Sequence, residues 1–206
     1  MSDSPSTQNS PIEPVVVEEP QSSGVTIYFE IDEVLYERQS AHQHVMVADT
    51  PAYGRALFLD RLIQSTSSDE VLYHEPLIHP ALLIHGAARR VLVAGAGEGA
   101  SLRELLRHSE VERIIAVDLD PTVVEASRAH LQDWHQGAFD DPRVDLRFED
   151  IQHTLAESAD GSFDVIVLDI TDPVEDGPSV DLFTVRFYRE VARVLADDGI
   201  VVLQAG

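Results

Sequence analysis

Two short apolar runs, Val91-Leu-Val-Ala-Gly-Ala-Gly-Glu-Gly99 and Val165-Ile-Val-Leu-Asp-Ile-Thr-Asp-Pro173, constrain this chain more than any other feature. A run of aliphatic residues without polar alternation reads as a strand covered on both faces, which is the habit of parallel sheets. The surrounding sequence keeps that rhythm. Strands are expected at 90–95, 113–118, 143–148, 163–169 and 199–204, with helices over 99–108, 121–131 and 183–195. Leu102, Leu105 and Leu106 share one face of the first helix; Val123, Val124 and Leu131 share one face of the second. This alternation predicts a doubly wound, mostly parallel α/β sheet whose strands all end at one carboxyl edge. The glycine loop after Ala94 and the acids after Leu168 then face each other.

Upstream the pattern changes. Residues 25–66 hold short β runs (Val25 to Phe29, Gln43 to Ala48, Arg55 to Leu59) around a Thr50-Pro-Ala-Tyr-Gly54 turn, which predicts a small antiparallel domain of hairpins. Residues 1–24, rich in Ser, Pro, Gln and Glu around a lone Val15-Val-Val17 triplet, are expected to form a disordered leader. The domain over 67–206 opens with a helix that Ser68 is placed to cap, with Asp69 and Glu70 in its first turn. An ending at Ala205-Gly206, directly after an apolar strand, implies missing C-terminal strands or a bare sheet edge.

Charge narrows the partners. The 206 residues carry 37 acids against 14 bases, a formal charge of −23, and every base is arginine. No basic stripe exists to release counterions from phosphate, so nucleic acid is disfavoured and polycations are favoured. The composition also fits a solvated acidic surface. Cysteine is absent, which excludes disulfides and thiolate metal sites. No run reaches the roughly 18 apolar residues that span a bilayer. The start lacks the basic and apolar regions of a signal peptide, so a cytoplasmic location without membrane contact is expected.

Gly95 and Gly97 let backbone turn tightly and approach a ligand at a helix N-terminus, and Asp118 ends the next strand, where an acid accepts from ribose hydroxyls. Gly95-x-Gly97-x-x-Ala100 also matches a dinucleotide fingerprint, but Glu98 inside the loop repels a pyrophosphate and attracts a positive tail. An adenosine sulfonium suits the loop better than NAD. Asp150, after the third strand, either accepts from an adenine amino group or caps a helix; both readings stay open. Asp169 and Asp172, three residues apart after the most apolar strand, are suited to hold a diamine. His74, beside Tyr73, reads by itself as an ordinary helix residue. The nine histidines show no H-E-x-x-H or similar spacing, so no metal is expected, and no G-x-S-x-G elbow signals a hydrolase.

Taken together, Leu59-Asp60 through Gln64, Asp69-Glu70, Tyr73-His74-Glu75, the glycine loop with Arg103-Glu104, Asp118-Leu-Asp120 and Asp169 to Pro173 with Gly177-Pro178 resemble the spermidine synthase family, the polyamine aminopropyltransferases, over about residues 25–206. The resemblance implies a Rossmann-like fold, as in S-adenosylmethionine methyltransferases, behind the antiparallel β domain. It also implies transfer of an aminopropyl group from decarboxylated S-adenosylmethionine to putrescine, agmatine or spermidine, with release of methylthioadenosine and no metal. By motif match, Glu98 holds the ammonium of the donor, Asp118 its ribose, and Asp150 with Ile151 its adenine. Gln43, Leu59 and Pro178 line the same site. Asp169 is the proton acceptor, Tyr73 and Gln64 position the nucleophile, and His74, Ile170, Thr171 and Asp172 lie at the acceptor amine. Homodimers or homotetramers through the β domain are implied as well.

Glu98 would also repel the carboxylate of ordinary S-adenosylmethionine, which separates this reading from a methyltransferase. A non-catalytic polyamine- or nucleoside-binding paralogue is the other alternative. Glu98 in place of the usual Asp, together with the loop over 173–178 and the stretch from Asp133 to Pro142, is closer to the thermospermine synthase and triamine or agmatine aminopropyltransferase branch, which implies an acceptor longer than putrescine. Family members continue past Gln204 with an acceptor-side segment, so an incomplete acceptor wall is expected here.

Overall fold

The computed structural model describes residues 15–22, 24–171 and 180–204. In the β domain, β1 (Val15–Ser22) and β2 (Val25–Ile31) pair as an antiparallel hairpin. Strands β3 (Glu33–Gln39), β4 (His44–Thr50), β5 (Gly54–Leu59) and β6 (Leu62–Thr66) follow as a four-stranded antiparallel meander. The expected leader therefore fails for Val15–Ser22. Val17 packs with Phe29, Ile31 and Phe58 in the β-domain core, and Glu19 Oε2 accepts from the Ile63 N–H at 2.8 Å. Three valines are too few to signal a strand alone; pairing along β2 supplies the register that local sequence lacks. Residues 1–14 lie outside the described residues.

Helix α1 (Glu70–His85) leads into β7 (Arg90–Ala94), α2 (Ala100–Leu106), β8 (Arg113–Asp118), α3 (Pro121–His130), α4 (Gln132–His135), β9 (Val144–Phe148), α5 (Ile151–Glu157), β10 (Phe163–Leu168), α6 (Val185–Val194) and β11 (Leu195–Leu203). The sheet order is β11-β10-β7-β8-β9, and all four pairings are parallel. The doubly wound expectation holds, with the reversal of strand order between β7 and β10, where such sheets take ligands. Ser68 does not cap α1. Asp69 stands at the N-cap, and its carboxylate accepts from the Thr66 N–H (3.0 Å) and hydroxyl (2.7 Å), closing the turn instead.

The sheet is buried on both faces, as its unbroken apolar strands require. Val91, Val93, Val165 and Val167 pack on one side with Ile78, Leu102 and Leu105. Leu92, Ala94, Ile166 and Leu168 pack on the other with Leu155, Phe187 and Val191. A third cluster joins Val45, Val47 and Leu57 of the β domain to Ala100, Val123 and Trp134, so the meander leans on the helices that follow the glycine loop. Among the described residues, no helix is long and apolar enough to cross a membrane.

Candidate active site

The register of β7 against β10 pairs Ala94 with Leu168, so Gly95 and Asp169 leave the sheet side by side, and the Asp169 N–H donates to the Ala94 carbonyl at 2.9 Å. Gly95 sits at φ +82°, and a Cβ there would collide with the Asp169 carbonyl oxygen. Glycine at 95 is thus demanded by Asp169 itself, independently of any ligand. A Cβ on Gly97 would approach the Val123 side chain at 2.7 Å and Asp118 Oδ2 at 2.9 Å, so this glycine makes room for α3 and the Asp118 carboxylate.

Two hydroxyls hold the Asp169 carboxylate. Tyr73 donates to Oδ1 at 2.6 Å and Ser101, buried in the first turn of α2, donates to Oδ2 at 2.7 Å. Burial raises the Asp169 pKa. The nearby His74 imidazole and the two hydroxyls oppose that rise, Glu98 reinforces it, and the net direction is upward.

His74 is 0% exposed. Its Nδ1 lies 2.6 Å from the Glu70 carbonyl, and its Nε2 lies 2.6 Å from Glu98 Oε1 and 3.9 Å from Asp169 Oδ2. The Glu98 approach is close but off the line of an aligned hydrogen bond, so the contact is an ion pair. Burial disfavours the imidazolium, yet Glu98, Asp169 and the Glu70 carbonyl outweigh it and push the His74 pKa up to about 9. His74 is therefore a cation at neutral pH, set between the two acids of the cleft. Glu98 Oε2 is buried and has no hydrogen-bond partner among the described residues, an anionic oxygen able to accept from a further donor.

Asp118 ends β8 and accepts from the Asp120 N–H at 2.9 Å; burial raises its pKa to about 6 against the pull of the Asp120, Gly97 and Ala96 amides. Asp120 caps α3 through the Thr122 N–H (2.9 Å) and accepts from Ser40 (2.6 Å) and Gln43 (3.3 Å), which brings Gln43 of the β domain to the carboxyl edge of the sheet. Leu59 is half-buried against the cluster that joins the two domains.

Asp150 caps α5, its Oδ1 accepting from the Gln152 N–H at 2.8 Å. The Ile151 side chain is buried in the core cluster beside Leu155, and Ile170 packs against the same cluster, so any contact of Ile151 with a donor runs through its backbone. Gln64 is exposed, and its amide donates to the Leu62 carbonyl at 3.1 Å, though it lines a recess with Asp69, Glu70 and Tyr73. Thr171 is exposed. Asp172 and Pro178 lie outside the described residues.

Sequence reasoning missed the supports. Ser101 carried no signal, because its partner is 68 residues away. Behind His74, Arg103 grips Glu70 through both carboxylate oxygens (3.1 and 2.9 Å) and Glu104 through Nε (2.7 Å), all three buried. Glu70, Arg103 and Glu104 stand among the motifs of the resemblance, but nothing in the sequence pairs them with one another. Glu75, His79 and Glu104 also converge, with ligand atoms within 4.8 Å of one another, but Arg107 pairs with Glu75 (3.2 Å) and Glu104 (2.6 Å) and makes a closed ion-pair cluster of them.

The spermine/spermidine synthase domain matches residues 70–206, and the spermidine synthase tetramerisation domain matches residues 15–67. A polyamine aminopropyltransferase of Pyrobaculum aerophilum is 43% identical over 197 residues, covering 94% of this chain and 67% of its own. One from Aeropyrum pernix is 44% identical over 175 residues, covering 85% of this chain and 56% of its own. A spermidine synthase solved with the transition-state analogue AdoDATO superposes with a TM-score of 0.88 at 32% identity, over 94% of this chain and 66% of that one. This chain thus spans between 56% and 67% of the length of these relatives. With one family domain spanning the whole doubly wound sheet and identity above 40% across most of the sequence, the chain belongs to the spermine/spermidine synthase family.

Proposed function

We propose that this site transfers an aminopropyl group from decarboxylated S-adenosylmethionine to an amine of a polyamine. The observation that carries the reading is the unpartnered Glu98 Oε2, buried beside the Tyr73–Asp169 pair. The donor's ammonium supplies the hydrogen bond that this oxygen lacks. Asp118 receives the ribose hydroxyls, and Asp150 with the Ile151 backbone receives the adenine, alongside Gln43 and Leu59. The acceptor amine attacks the carbon bonded to sulfonium; the new C–N bond forms as the C–S pair departs on methylthioadenosine, and the amine proton passes to Asp169. Tyr73 orients that carboxylate, and general-base help of this kind contributes roughly a hundred- to ten-thousand-fold. Gln64, Ile170, Thr171 and Asp172 complete the acceptor side, and Glu98 favours an acceptor longer than putrescine by its likeness to the thermospermine and agmatine branch. Residues 15–67, matched by a domain named for tetramerisation, form the homodimer or homotetramer contact.

The test is methylthioadenosine release by the full-length protein offered putrescine, agmatine or spermidine. Turnover with at least one is expected. Binding without turnover by any of them would leave a non-catalytic polyamine-binding protein, and tighter binding of S-adenosylmethionine than of its decarboxylated form would favour a methyltransferase.

A further inference from the structure

We propose that Ser101 is a positioning residue for Asp169, fixing the carboxylate so that its remaining lone pairs meet the attacking amine. The inference rests on the transferase reading above and adds to it a residue outside the recognised motifs. Ser101 is buried in the first turn of α2, the helix entered from the glycine loop, whereas Asp169 follows β10. A serine hydroxyl has one proton to give, and this one goes to Asp169 Oδ2 at 2.7 Å. The opposite oxygen takes the Tyr73 proton at 2.6 Å. Rotation about the bond to a carboxylate is soft and roughly two-fold, so one donor leaves its plane loosely set. Donors from two separate helices, one on each oxygen, define that plane. Among the described residues, the charged groups facing Asp169 are His74 from α1, 3.9 Å from Oδ2, and Glu98 from the glycine loop. Neither offers a hydrogen-bond donor aligned on Asp169, so among the described residues the plane is set by the two hydroxyls. Ser101 also ties the base to the loop that receives the donor, keeping both substrates' contacts in one frame.

The decisive comparison uses S101T and S101V, which share a shape and differ in the hydroxyl, alongside S101A. In the full-length protein, S101A and S101V are expected to lose about tenfold in kcat, with KM for the donor within about twofold, because a hydrogen bond to a charged group is lost and the base is less well aimed. The acid limb of the kcat profile moves to higher pH, since one donor to the ionised form is gone. S101T recovers most of what S101V loses. Equal kcat and equal acid limbs in S101V and wild type would overturn the proposal, as would S101T falling as far as S101V. Should the wild type release no methylthioadenosine, the transferase reading fails, and carbon-detected titration of the Asp169 carboxyl decides on Ser101 alone. A higher Asp169 pKa in S101V than in S101T supports the contact, and equal values refute it.

Discussion

Replacing Glu98 by glutamine removes the nearest anion from a fully buried imidazole. In the intact site His74 has its pKa pushed from 6.5 to about 9, and its side chain is 1% exposed. At about 1.4 kcal/mol per unit, that rise amounts to ~3 kcal/mol of preference for the imidazolium in the folded protein. The sign follows from linkage: folded protein keeps a proton that unfolded chain has released, so the contribution is complete below pH 6.5. It drains away at ~1.4 kcal/mol per pH unit as pH rises toward 9. Asp118, raised to about 6, changes stability in the same sense but over a separate, more acidic window between 3.8 and its folded value. Urea denaturation from pH 6 to 9.5 therefore shows wild-type stability falling, while E98Q stays much flatter over the same range. Nitrogen-detected titration of the His74 ring places the midpoint directly. A wild-type stability equal at pH 6.5 and 9, or a His74 midpoint at or below 6.5, would refute the reasoning.

Removing Arg103 strands the buried carboxylate of Glu70 and leaves Glu104 with Arg107 and His79 alone, and costs ~3–5 kcal/mol of stability in R103A; chemical denaturation showing a loss below about 1 kcal/mol would contradict the network. Gly95→Ala forces both a left-handed backbone, worth ~1–2 kcal/mol, and a displacement of Asp169. Methylthioadenosine release is expected to fall at least tenfold, and a fully active G95A would show that the two backbones are free to part. E98Q weakens decarboxylated S-adenosylmethionine by about ten- to a hundredfold in calorimetry and leaves methylthioadenosine, which has no ammonium, nearly unchanged. Equal losses for both ligands would remove the ammonium from Glu98.

What the sequence reveals here follows the range of the interactions involved. The parallel sheet was legible because Val91 to Ala94 and Val165 to Leu168 are apolar whichever face is considered, a property local to each run. Asp118 and Asp169 were legible because strand order delivers their positions to one edge. Strand β1 was not, since Val15–Ser22 takes its register from β2, and helix α5 hid behind an ambiguous Asp150. The supports of the site were the least visible. Ser101 meets Asp169, and Arg103 meets Glu70, only after the sheet has brought remote segments together. His74 read by itself as an ordinary helix residue, whereas the fold buries it among the carboxylates of Glu70, Glu98 and Asp169. Nothing local distinguishes a surface histidine from one enclosed by three carboxylates.

The missing side chain at Gly95 lets two remote main-chain turns, the one entering the glycine loop and the one carrying Asp169, pack in direct contact. If the site works as proposed above, a shift that retunes how the sulfonium is seated also re-aims the atom that collects the proton. Grip on one substrate and reactivity toward the other must drift together under mutation, so new acceptor preferences are more cheaply reached from the far rim than from the glycine turn.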